Sequence, residues 1–222
     1  MELGIDSPVV LTLAGFAAIA LTAAIVSYGR KLVVLRGRAR FIERYAFPPE
    51  LLNSLQRDSG FSLAQSGQVL EALKQYFIAW LLAQRSGIGK VLGMPSTAVD
   101  NAWHQFTLMP REYEKFCLDA FGDYLPRTPI RPEESDKPLA NTLHQLKKFS
   151  PLRAGWAKVG AMPLIFALDR ELGVKDGHIY DDIALRDLNR QRRFFLWMRS
   201  YREPIPDSRG ISFSPSDSSG DS

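Results

Sequence analysis

The chain reads as all-α, with a single N-terminal transmembrane helix followed by a cytoplasmic helical domain. Three observations carry that reading. No charged side chain occurs between Asp6 and Arg30, and Val9 to Val26 is apolar apart from Thr12, Gly15 and Thr22. Further along, apolar residues recur at helical spacing between Gly, Pro and Ser punctuation. There is no run of alternating strands, no Asn-Gly or Asp-Gly hairpin between β-branched runs, and no internal repeat. With 45% hydrophobic and 23% charged residues, the chain has the composition of one that buries a core, which excludes wholesale disorder. Its single Cys excludes an internal disulfide framework.

The uncharged stretch comes first. At a rise of about 1.5 Å per residue it spans about 34 Å, enough to cross a hydrocarbon core of about 30 Å. A cleaved signal peptide would want a basic flank before the apolar run, but Glu2 and Asp6 stand there instead. A buried core helix would be shorter and amphipathic, whereas this one is apolar all round. Residues 1–28 are therefore expected to be an anchor and 29–44 a basic juxtamembrane segment. Arg30, Lys31, Arg36, Arg38, Arg40 and Arg44 face only Glu43 in that segment. Positive residues stay on the cytoplasmic side, so the N-terminus should lie outside and the remaining chain in the cytoplasm of a cell with this as its inner membrane. A reducing cytosol suits the unpaired Cys117.

An all-α soluble domain is expected over residues 45–202. Pro48-Pro49 opens a short helix to about Arg57. Ser62 caps a long one to about Arg85, whose apolar side carries Leu63, Val69, Leu70, Leu73, Phe77, Trp80 and Leu81. Gly87, Gly89 and Gly93 mark a loop. Ser96 caps the next helix, Pro110 restarts it, and Gly122 stops it. After Pro126, Pro129 and Pro132, a helix over Leu139–Phe149 places Leu139, Leu143, Leu146 and Phe149 on one face. Helices over Pro163–Leu172 and Asp181–Arg202 complete the set. The Ser- and Asp-rich residues 203–222 are expected to be a disordered tail.

Charge and motifs remove several function classes. The body over 45–184 carries 15 Lys+Arg against 16 Asp+Glu, so it lacks the basic footprint of a nucleic-acid-binding domain. No nucleic acid partner is expected. Gly87-Ile88-Gly89-Lys90 lacks the spacing and the hydroxyl residue of a phosphate loop. There is no H-E-x-x-H and no G-x-S-x-G. The last helix mixes arginines with aromatics from Leu188 to Arg199. Such a mixture can lie on a membrane surface or stack on nucleic acid, but its simplest reading packs the aromatics and solvates the arginines.

One constellation stands out over residues 95–122. Val99, Ala102, Trp103 and Phe106 share one helical face, and Tyr113, Phe116, Cys117 and Ala120 share another. Two short helices with facing aromatic stripes predict a helical hairpin. Asp100 and His104, at i and i+4, flank the first stripe, so their side chains can meet. The candidate functional cluster is Asp100, Trp103, His104, Tyr113 and Cys117. On the structural reading Asp100 pairs with His104 beside Trp103, while Cys117 is a small core residue. On a metal reading Asp100, His104 and Cys117 are ligands, a set whose imidazole and thiolate would suit zinc. A His with its pKa near 6.5 also keeps acid-base chemistry open. His144 falls off its apolar face and should be solvated; His178 is a turn residue.

The order V-D-x-x-W-H-x-F, Y-x-x-F-C and F-G, carried here by Val99, Asp100, Trp103, His104, Phe106, Tyr113, Phe116, Cys117, Phe121 and Gly122, resembles the signature of the glycine-rich-domain-containing-protein-like family. Pro163 to Asp169, with Asp176-Gly177 and Tyr180, resembles the later block of its bacterial stand-alone versions. The resemblance implies an α-helical domain and brings no settled activity. Phe106 stands where eukaryotic members carry a second His, and Arg127 where many bacterial ones carry a His after F-G.

The expectation is thus a membrane-anchored domain whose partners are the lipid bilayer and a protein. The alternative is a membrane-tethered zinc enzyme using the Asp100–His104 pair. No cofactor is expected on the first reading and zinc on the second.

Overall fold

A computed structural model describes residues 8–86, 91–127, 136–149 and 162–200. Among them there are eight helices and no strand: α1 (Pro8–Arg44), α2 (Pro49–Ser59), α3 (Leu63–Ser86), α4 (Thr97–Thr107), α5 (Pro110–Phe121), α6 (Asp136–Phe149), α7 (Leu164–Leu172) and α8 (Asp182–Ser200). The expected tail over 203–222 and the Gly87–Lys90 stretch lie outside the described residues.

α1 departs from the expected division at residues 28 and 44. It is one uninterrupted helix, because nothing between Tyr28 and Arg44 stops it and most of those residues are good helix formers. Its first part leaves Leu13, Phe16, Ile19, Leu21 and Ile25 exposed. Its last turns do the opposite. Ala39 and Ile42 are buried, and Leu35 and Phe41 pack against the same core. The last turns of the basic juxtamembrane segment are therefore also a wall of the domain, with Arg36, Arg40 and Arg44 outward at i, i+4 spacing. Among the described residues one helix, this one, is long and apolar enough to cross a membrane.

α3 is the central element. Ala72 to Ala79 are all buried, because α1, α2, α4, α6 and α7 surround the helix. Its start is a reciprocal capping box: the Gln65 N–H donates to Ser62 Oγ at 3.3 Å, and the Ser62 N–H to Gln65 Oε1 at 2.9 Å. Lys74 is tolerated among the buried residues because its charge is satisfied, its Nζ donating to the Glu43 carbonyl at 3.2 Å and to Glu71 at 2.7 Å. Further along α3, Trp80 meets the Phe121 ring at 4.9 Å, and Arg38 donates to the Phe121 carbonyl at 2.6 Å. Contacts that advance along α3 thus recede along α1, so the two helices are antiparallel.

α4 and α5 form the expected hairpin. Ser96 Oγ accepts from the Val99 N–H at 3.2 Å, and Pro110 occupies the first turn of α5. Gly122 ends α5 at φ +81°, its N–H bonding back to the Cys117 and Leu118 carbonyls. That positive φ is what requires glycine; a Cβ there would also displace the Arg38 guanidinium.

α6 begins three residues earlier than expected, with Pro138 tolerated in its first turn. Ala140, Leu143 and Leu146 are buried, together with Asn141, Thr142 and Gln145. The polar residues are accommodated because Thr142 Oγ1 donates to the Gly93 carbonyl at 2.7 Å and Asn141 Nδ2 to the Val91 carbonyl at 3.2 Å. His144 is half-buried rather than solvated. The Phe149 side chain is outside the described set. α6 packs on both α3 and α8.

Candidate functional site

The α4–α5 hairpin encloses an aromatic cluster. The Phe116 ring lies 4.7–6.4 Å from Phe41, Tyr45, Phe47, Phe77, Phe106 and Phe121, many of them edge-on or tilted. Inside it runs a hydrogen-bonded relay. Trp103 Nε1–H donates to Tyr113 Oη at 2.9 Å, and the Tyr113 hydroxyl donates to the Leu125 carbonyl at 2.6 Å. Both polar tips are satisfied without water, so Trp103 and Tyr113 can be buried completely.

Cys117 sits one turn after Tyr113, fully buried. Burial pushes its thiol up from its ordinary pKa, which keeps it protonated and poorly nucleophilic. Burial likewise raises Tyr113 and Tyr76 well above the usual phenol range.

Asp100 does not pair with His104. Its carboxylate takes a two-pronged contact from Arg127, with Nε at 3.2 Å and Nη2 closing the fork. Asp100 and Arg127 are both half-buried, while the His104 side chain is exposed. The physical reason is the segment after α5. It folds back across α4 and delivers a planar, permanently charged guanidinium that matches a carboxylate better than an imidazole one turn away. The metal trio is separated too, since among the described residues no three His, Cys, Asp or Glu side chains are grouped to hold an ion. Cys117 faces the core, whereas His104 faces outward.

These placements have a measurable consequence. The Asp100–Arg127 pair is part-exposed, so it should contribute about 1 kcal/mol or less. In a double-mutant cycle, Asp100→Asn and Arg127→Gln should be less than additive, while His104→Ala stays within about 0.5 kcal/mol of the parent and adds independently. Coupling between positions 100 and 104 instead would restore the Asp–His pair.

The polar centre that sequence reasoning missed is Asp169. It is 2% exposed, on α7. Its Oδ1 accepts from the Ser96 hydroxyl at 2.5 Å and the Ala98 N–H at 3.2 Å, and its Oδ2 from the Thr97 N–H at 2.7 Å and the His178 N–H at 2.9 Å. A carboxylate thus closes the N-terminus of α4, where the helix dipole favours negative charge. Gly177 makes the turn that presents His178 possible, because a Cβ there would lie 2.8 Å from Asp169 Cβ. The signal was present in the sequence as Pro163 to Asp169 with Asp176-Gly177, but nothing local says that a carboxylate 73 positions from Ser96 caps its helix.

Nearby, Tyr180 packs on Phe166 at 5.1 Å, and burial together with the Asp169 charge pushes its phenol up to about 12. A phenol raised above its unfolded value near 10 contributes stability that is whole below pH 10 and is lost as pH rises toward 12. Alkaline titration should therefore show unfolding and phenolate absorbance rising together across that window. Tyr180→Phe should weaken the slope. An unchanged slope would place the alkaline sensitivity elsewhere.

Fold and site together define a class: an all-α domain with an aromatic core around Trp103, Phe106, Tyr113 and Phe116, carried on a long helix with an apolar N-terminal part. The family model described as UCP032817-like matches residues 37–194, and the chain belongs to that family. The match begins within the turns of α1 that pack on the core, so the last turns of α1 are part of the family's domain. No curated protein and no solved structure matches the chain.

Proposed function

We propose that this protein is a single-pass membrane protein, N-terminus outside, whose helical domain at the cytoplasmic face of the inner membrane works by binding a protein partner. We read the Val99–Gly122 motif as the glycine-rich-domain-containing-protein-like signature serving this scaffold. The observation that carries the proposal is α1 itself. Its apolar part is uncovered while its basic part is built into the domain, so a bilayer is the environment that suits the first and the cytoplasmic side suits the second. A binding role is supported by where the conspicuous residues lie. Trp103, Tyr113 and Cys117 hold the core, Asp100 and Asp169 hold segments together, and the hairpin's outer corner presents His104 and Leu108 to solvent.

Reporter fusions at the two ends test the topology. An exported, active periplasmic reporter at the carboxyl end would overturn it. A photocrosslinking residue at position 108 of the full chain in its own membrane tests the binding role. A discrete protein adduct, absent from the same probe at Glu50, is expected, and only lipid or solvent adducts at 108 would count against it.

A further inference from the structure

We infer that α8 docks on the anionic surface of the same bilayer that α1 crosses, through the face carrying Ile183, Arg186, Arg190 and Arg193. This rests on the membrane reading above and adds a second, peripheral contact to it.

The face is defined by spacing and exposure. Positions 183, 186, 190 and 193 follow the i, i+3, i+7, i+10 rule of one helical side, and all four are exposed. Ile183 is 66% exposed, and Ile179, just before the helix, is 74% exposed. The opposite side is committed to the protein, with Leu185 and Leu188 buried and α8 packed on α6. The outer face is therefore a stripe of three guanidiniums led by two uncovered aliphatic side chains. Asp187 borders it, 4.0 Å from Arg190, and Asp182 lies at its start, so the stripe remains positive. A cationic face with an aliphatic edge suits an anionic headgroup layer, the charges attracted and the isoleucines inserted.

Charge and the tether through α1 select the bilayer over another polyanion. α3 runs antiparallel to α1 and so returns toward the membrane-crossing part. Residues 91–93 follow its end, the Tyr76 hydroxyl donates to the Leu92 carbonyl at 3.3 Å, and the start of α6 is fixed to them by Asn141 and Thr142. Gln191 of α8 donates to Asp136, the first residue of α6, at 3.4 Å. These contacts join α8, through the start of α6, to the middle of α3. Tethering by α1 makes this contact intramolecular, so weak attraction suffices.

The experiment uses the full chain in lipid nanodiscs, with a fluorophore on Ile183→Cys and a quencher attached to lipid headgroups. The buried Cys117 should stay unlabelled, which the parent chain controls. Strong quenching is expected in discs of mixed phosphatidylglycerol and phosphatidylcholine, relief in concentrated salt, and little quenching in phosphatidylcholine alone. Replacing Arg186, Arg190 and Arg193 with Gln should lower the docked-to-undocked ratio about a hundredfold, three charges at roughly tenfold or less each. Because those side chains are exposed, helicity should be unchanged, and the salt response of the parent chain provides a readout independent of the variant. Equal quenching in the two lipids, or none in either, with the chain still held in the bilayer after an alkaline carbonate wash, overturns the docking of α8 alone. Loss of the chain from the bilayer in that wash overturns the anchor and this inference together.

Discussion

Asp169→Ala should cost about 4 kcal/mol, a large part of the 5–15 kcal/mol that holds a typical domain folded. The substitution removes the acceptor for the Ser96 hydroxyl and for the Thr97, Ala98 and His178 N–H groups together. Asp169 is buried, so these donors do not simply turn to bulk water. Ser96 would keep its bond from the Val99 N–H, but α4 would lose the carboxylate at its N-terminus. Asp169→Asn retains one carbonyl oxygen and should cost about half as much. Asp169→Glu should be no rescue, because the turn at Gly177 already lies against Asp169 Cβ. Denaturant unfolding followed by circular dichroism measures each difference. A loss below about 1 kcal/mol for the alanine variant would mean that water replaces the carboxylate and that the site is open.

Phe116→Ala is the second large expected effect, about 3–5 kcal/mol. Its ring contacts rings contributed by α1, α3, α4, the α1–α2 connection and α5 itself, so the cavity would open where five segments meet. The consequence goes beyond stability. Phe41 and Tyr45 attach the end of α1 to the domain partly through Phe116, so the variant should also loosen the membrane helix from the domain. Hydrogen exchange at Ala39 to Ile42 would report that loosening. Protection there equal to the parent's, alongside lowered global stability, would show that Arg38 and the aliphatic contacts of α1 suffice to hold it.

Much of the secondary structure was legible because its signals are local. Pro110 and Gly122 bracket α5, Ser62 and Ser96 start α3 and α4, and the aromatic stripes at i, i+3 and i+4 face each other as their spacing requires. Where the reading went astray, a local pattern was outvoted by composition. Leu35, Ala39 and Ile42 are an amphipathic stripe at i, i+4, i+7, but six basic side chains in the same segment make it read as a basic juxtamembrane segment. The helical wheel alone puts His144 in solvent; it cannot show the carbonyls of Val91 and Gly93 that make burial of the neighbouring Asn141 and Thr142 tolerable.

The candidate site divides in the same way. Asp100 and His104 are neighbours in any helix, and the sequence alone makes them look like partners. The fold brings Arg127 to Asp100 across 27 positions and Asp169 to the start of α4 across more than 70. A helix, its caps and its apolar face are specified by residues within a few positions of one another, so local sequence is enough to specify the helices and an N-terminal one apolar enough to cross a membrane. Which carboxylate is satisfied by which donor depends on contacts between segments far apart in the chain. The tertiary structure alone decided that Asp100 belongs to Arg127, that Asp169 closes α4, and that α1 ends inside the domain, because only folding brings those groups within hydrogen-bonding and packing distance.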